Sequence, residues 1–152
     1  AFRRLRKHGL LAYTCNMLGI PGETKEMIQE TIDLNRQLEP DDLQFSVFYP
    51  YPMTELYTTA VEKGYYVPHS GALSTYYSRA SVLNLPTLTS QELTEQYDRF
   101  VALKNELSMK RTHPWKYRAK KTLRALAGGD EARMERMLAP WRKVKRLLRG
   151  KT

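Results

Sequence analysis

Two short runs combine residue types suited to holding a ligand: Gly19-Ile20-Pro21-Gly22-Glu23-Thr24 and, further along, Tyr49-Pro50-Tyr51-Pro52-Met53-Thr54-Glu55-Leu56-Tyr57. In the first, Gly19 and Gly22 allow a tight turn and close approach of backbone to a bound molecule, and Pro21 fixes the loop between them. Each run sits where an apolar strand hands over to an amphipathic helix. Such turns, at the C-terminal ends of parallel strands, are where α/β barrels keep their ligands. Taken alone, a Gly-x-Pro-Gly turn is equally well explained by simple strand-to-helix geometry. The histidines His8, His69 and His113 are widely separated, so neither a histidine metal site nor a Ser-His-Asp arrangement has support.

The elements that must position these turns follow from the apolar pattern. Leu10, Leu11, Ala12, Tyr13, Cys15, Met17 and Leu18 predict a buried parallel strand over residues 10 to 18, covered on both faces. Thr24 is placed to cap a helix whose Met27, Ile28, Thr31, Leu34 and Leu38 share one side, and Leu38-Glu39-Pro40 ends it. Leu43 to Phe48 reads as a second strand, and Thr54 begins a second helix that Gly64 ends. Gln44 and Ser46 alternate with Phe45 and Val47, which would turn one polar side toward a barrel interior. The order β-α-β-α is that of a parallel sheet with right-handed crossovers.

Together the two runs resemble the C-terminal half of a radical S-adenosylmethionine (SAM) enzyme barrel. In that family the fifth strand carries a Gly-x-Pro-Gly-Glu-Thr turn and the sixth ends in a Tyr-Pro-x-Pro-Gly-Thr-x-Leu-Tyr segment. The subgroup most similar in appearance has an N-terminal cobalamin-binding domain. The likeness covers residues 1 to 65 well and 66 to 110 in layout. It implies an α/β fold, the C-terminal portion of a partial TIM-type barrel, followed by a mostly helical region. The implied SAM-contacting residues are Met17, Gly19, Pro21, Gly22, Glu23, Phe48 and Tyr49, with Met17 on the adenine and Phe48 and Tyr49 on the opposite wall. Cys15 and Gly22 fall where the family has a glycine and an acidic residue, and Met53 where it has a glycine, so that turn cannot use a left-handed conformation freely.

Each residue also has a plainer reading. Met17 suits a core, Glu23 suits the positive end of a helix, and Tyr49, Tyr51 and Tyr57 suit packing under a proline-rich loop.

The implied chemistry is reductive cleavage of SAM by a four-iron, four-sulfur cluster, acting on a small organic substrate and with cobalamin in an upstream domain. A Cys-x3-Cys-x2-Cys loop would hold the cluster, but this chain has one cysteine, Cys15. The chain is therefore expected to be inactive alone and to work with an N-terminal remainder of the same protein. Its opening, Ala1-Phe2-Arg3-Arg4-Leu5-Arg6-Lys7-His8-Gly9, reads as the end of a helix with Gly9 as cap, as expected of the C-terminal part of a longer chain. The single cysteine rules out an internal disulfide framework and fits a reduced, cytoplasmic compartment.

Beyond residue 65 the pattern changes. Residues 64 to 88 read as a long aromatic-rich loop, a lid, a substrate wall or a surface connector. Thr89-Ser90-Gln91-Glu92 predicts a capping box before a helix to residue 110, with Leu93, Tyr97, Phe100, Val101, Lys104 and Leu107 on one side. The expected divisions are 1–65, 66–111 and a basic helical tail over 112–152. From Met109 onward fifteen Lys and Arg face three Asp and Glu, a net of +12, which leaves −3 for residues 1–108 within the total of +9.

The tail is expected to form helices over Trp115 to Ala127 and from Glu131 onward, the second with an apolar stripe through Trp141. Residues 131–149 could dock on the body, lie on an anionic membrane surface, or meet a nucleic acid, for which no motif speaks. Two alternatives to the SAM enzyme thus stand: a non-catalytic basic module binding membrane or partner, and a transfer-RNA modification protein.

Overall fold

The computed structural model describes residues 1–68, 80–128, 130, 132, 133 and 136. Residues 69–79 of the expected aromatic-rich loop, and the expected helix from Glu131 onward apart from 132, 133 and 136, Trp141 included, lie outside the described residues. The chain divides into two compact units, Ala1–Ser108 and Met109–Thr152.

The first unit opens with helix α1 (Phe2–Lys7), followed by strand β1 (Tyr13–Leu18), helix α2 (Lys25–Leu38), strand β2 (Asp42–Val47) and helix α3 (Glu55–Glu62). Helix α4 spans Ser90–Thr112 and helix α5 Pro114–Leu126. The two strands pair in parallel, Tyr13 opposite Asp42 through Leu18 opposite Val47. The protein is thus mixed α/β with a two-stranded parallel sheet.

β1 begins at Tyr13 rather than Leu10, and both Leu10 and Leu11 are exposed. A mutual bond explains the boundary: the Ala12 amide donates to the Asp41 carboxylate and the Asp41 amide to the Ala12 carbonyl, both at 2.8 Å. This exchange anchors the strand pair at its start. α2 is capped as expected, with the Thr24 hydroxyl accepting from the Met27 amide, and Glu39 ends it in a left-handed conformation. Arg6 donates to the carbonyls of Leu38 and Glu39 at that end.

The core lies on one side of the sheet. Leu18, Leu43 and Val47 are buried there with Ile28 and Ile32 of α2 and with Leu93, Phe100 and Leu103 of α4. The Phe45 ring centroid lies 5.0 Å from Tyr97 and 5.1 Å from Phe100, which seats α4 on β2. Lys25 meets Glu92, Gln29 meets Arg99, and Arg36 meets Glu106, partners advancing together along both helices. α2 and α4 therefore run parallel, side by side. The same core takes in Tyr66, Leu83, Leu85 and Leu88, so the described parts of the expected loop pack inward.

Two expected helix faces turn out rotated. On α2 the buried residues are Ile28, Ile32 and Asn35, while Met27 and Leu34 are exposed. Asn35 holds a core position because its amide donates to Asn16 Oδ1 on β1 and to the Thr31 carbonyl, each at 2.8 Å. On α4, Leu93, Gln96, Phe100 and Leu103 are buried, whereas Lys104 reaches outward to Asp42 at 3.3 Å. The expected capping box is present: Thr89 Oγ1 accepts from the Glu92 amide, and the Glu92 carboxylate accepts from the Thr89 amide and hydroxyl. These bonds, with Lys25, hold the Glu92 carboxyl below the ordinary glutamate range.

The opposite side of the sheet is open. Tyr13, Cys15 and Met17 are exposed there, and their register partners Asp42, Gln44 and Ser46 share that face. The expectation of a strand covered on both faces thus fails for β1, since side chains on the two faces alternate between core and solvent.

Candidate functional site

Both ligand-type turns lie at the C-terminal ends of the paired strands. The Phe48 amide donates to the Leu18 carbonyl at 2.7 Å and so continues the ladder into the start of both turns. In the first turn the Glu23 amide donates to the Ile20 carbonyl at 3.0 Å. With Pro21 second and Gly22 third at φ 88°, this is a type II turn, whose third position requires positive φ.

Glu23 then folds back over its own turn. Its carboxylate accepts from the Gly19 amide at 2.5 Å and from the Ile20 amide at 3.4 Å. The residue is only 7% exposed, and its carbonyl accepts from the Thr87 hydroxyl at 2.7 Å. Burial pushes the Glu23 carboxyl above the ordinary range, and the two amide bonds draw it partly back. Its plainer role as a helix-end charge is thus joined by a more specific one: Glu23 closes and stiffens the turn. Gly19 sits at φ 75°, and a Cβ there would lie 3.3 Å from the Leu93 side chain, so α4 seals this turn from the core side.

The sequence candidates fall into two groups. Met17, 47% exposed on the open sheet face, and Gly22 are accessible, Pro21 and Tyr49 are partly so. Gly19, Glu23 and Phe48 are buried. Phe48 belongs to the core cluster, so the structure places it behind the wall assigned to it, and Tyr49 alone is offered outward. The Tyr49 ring lies 5.2 Å from Tyr51, and its hydroxyl is hydrogen-bonded to Tyr66, which this contact, with burial, pushes above the usual phenol range. Tyr66 packs in turn at 6.0 Å from Tyr57.

Thr87, Asn35 and Tyr66 are the supports that the sequence did not single out. Their signals are weak, because each is an ordinary polar residue whose partner is distant in the chain. Among the described residues no group of three or more His, Cys, Asp and Glu could hold a metal ion.

The second turn carries a backbone feature of its own. Met53 is fully exposed and adopts φ 69°, the left-handed conformation that a non-glycine residue enters at a cost. Thr54 fixes the turn by donating to the Tyr51 carbonyl at 2.8 Å and accepting from the Tyr57 amide at 3.2 Å. Met53→Gly is expected to stabilise the chain by about 0.5–1 kcal/mol, the relieved strain less the added entropy of the unfolded chain. Urea unfolding measures this, and an unchanged or lower midpoint would show that Met53 carries no strain.

No protein-family profile matches the chain. A 61-residue stretch is 36% identical to the protein named uncharacterized methyltransferase PH0819 of Pyrococcus horikoshii. The stretch covers 40% of this chain and 13% of that protein's length. Part of this chain is thus similar to a small part of a methyltransferase.

Proposed function

We propose that the chain is the C-terminal part of a radical SAM enzyme barrel, and that its two turns help to bind SAM for radical chemistry, methyl transfer included. The observation that carries this reading is the asymmetry of the sheet. Two parallel strands have helices on one face, an open opposite face bearing Met17, Gln44 and Ser46, and both ligand-type turns at the same end. Strands lining a barrel interior would have the same disposition, which supports this reading. The local similarity to a methyltransferase supports SAM as the ligand.

The residues fit SAM better than they fit a cluster. An exposed thioether on an open sheet face suits contact with an adenine ring, and Gly22 lets the adjoining backbone come close. Bound SAM supplies a sulfonium centre from which a methyl or an adenosyl group can leave. Met17 and Tyr49 would orient it, while Glu23, through the Gly19 amide, holds the turn in its binding shape. Cys15 alone does not fit a four-iron, four-sulfur cluster. Cobalamin is implied by the subgroup likeness alone.

The test is the in-frame coding sequence upstream of Ala1, followed by anaerobic purification of the whole product. The expected result is a Cys-x3-Cys-x2-Cys loop, iron–sulfur absorbance, and release of 5'-deoxyadenosine from SAM under reduction. Met17→Glu in that protein should weaken SAM binding on the order of tenfold by removing an apolar contact. A whole product without the cysteine loop would overturn the proposal.

A further inference from the structure

The second unit offers a surface of a different kind. α5, with the sequence Pro-Trp-Lys-Tyr-Arg-Ala-Lys-Lys-Thr-Leu-Arg-Ala-Leu, has no acidic residue and no buried one. At 3.6 residues per turn, Trp115, Ala119, Thr122, Leu123 and Leu126 fall on one side. Lys116, Arg118, Lys120, Lys121 and Arg124 occupy the remainder. Most of the apolar side is open: Trp115 and Leu126 are each 63% exposed, Ala119 and Thr122 are exposed, and Leu123 is half-buried. The Lys116 ammonium lies 5.3 Å from the Trp115 ring centroid, at the border between the two sides.

We infer that α5 is a docking surface for an anionic lipid bilayer, lying in the plane of the interface with Trp115 and Leu126 inserted and the basic side at the headgroups. A helix lies this way when one side is apolar, with Trp or Leu, and the other is rich in Lys and Arg. A nucleic-acid duplex would engage the basic side through its phosphates and leave Leu126 in water. A bilayer satisfies both sides at once. α5 is about 20 Å long at 1.5 Å per residue, shorter than a hydrocarbon core. Among the described residues no helix is long and apolar enough to cross a membrane. Surface docking is therefore the mode that fits, and it is independent of what the first unit binds.

The test uses the 152-residue chain with Trp141→Phe, so that Trp115 alone reports emission. Vesicles of phosphatidylcholine with phosphatidylserine should blue-shift that emission and carry the protein into the pellet, more weakly as salt rises. Pure phosphatidylcholine vesicles should bind far less. Lys120→Gln should weaken partitioning about fivefold, the equivalent of ~1 kcal/mol per basic residue near an anionic surface. Leu126→Glu should weaken it on the order of tenfold or more. Both side chains are exposed, so helicity by circular dichroism should stay constant and separate docking from folding. No vesicle binding, or equal binding by the Leu126→Glu variant, overturns the inference. So does salt-sensitive binding to duplex RNA with neither vesicle binding nor a shift in Trp115 emission.

Discussion

Glu23→Ala is expected to lower the free energy of unfolding by about 1–3 kcal/mol, the penalty for stranding a buried hydrogen-bond donor. The Gly19 amide, buried and 2.5 Å from the carboxylate, would lose this acceptor. Glu23→Gln keeps an acceptor in the same place and should cost less, about 1 kcal/mol. The pair of variants also separates shape from charge through pH. Burial raises the folded-state pKa of Glu23 above its unfolded value, so the neutral acid is the form favoured by folding. Its contribution is full below the ordinary glutamate value and is lost as pH rises through the raised folded value. Wild type should therefore lose stability relative to Glu23→Gln across that window. Urea midpoints from acid to neutral pH decide both points: an unaltered midpoint for Glu23→Ala, or a constant gap between wild type and Glu23→Gln, would contradict this role.

The second large effect concerns the contact that seats α4 on the sheet. Phe100 is fully buried and packs against Phe45, which also meets Tyr97. Phe100→Ala is expected to cost about 3–5 kcal/mol, from lost transfer energy and the cavity left beside Phe45 in the core. Met17→Ala, on the open face, should stay within about 0.5 kcal/mol, as surface changes do. The contrast between two apolar side chains on opposite sides of one thin sheet is the informative quantity. A small loss for Phe100→Ala, or a large one for Met17→Ala, would mean that the covered and open faces have been exchanged.

Much of the architecture was legible because it rests on local signals. Thr24, Thr54 and Thr89 cap helices where the sequence placed them, and the two strands alternate with helices in the expected order. The strand end is not legible in the sequence because Leu10 and Leu11 are as apolar as the strand itself, and the long-range bond between Ala12 and Asp41 sets the boundary. The α2 face is hidden for the converse reason: a polar Asn35 occupies a core position that hydrophobicity alone assigns elsewhere.

The site was legible as two turns but not as a division of labour. Phe48 points into the core while Tyr49 stays outward because the chain leaves β2 there for a proline-rich turn, where simple alternation stops applying. Met53 reversed a conformational expectation: it enters the left-handed region despite its Cβ, with Thr54 bonded on both sides of the turn. The inward fold of Glu23 had a local cue, a carboxylate four residues beyond Gly19 across a proline turn, although the same residue also suited a helix end.

The open sheet has a consequence for the chain in concentrated solution. Among the described residues each strand is paired along one edge only, which leaves backbone donors and acceptors in a row beside a face carrying Tyr13, Cys15 and Met17. Such an edge is a template for strand addition, and the charged side chain on that strip, Asp42, is already paired with Lys104. Self-association should accordingly begin at the sheet, where Cys15 is exposed and, in the presence of dissolved oxygen as oxidant, could join two chains through a disulfide once they have met.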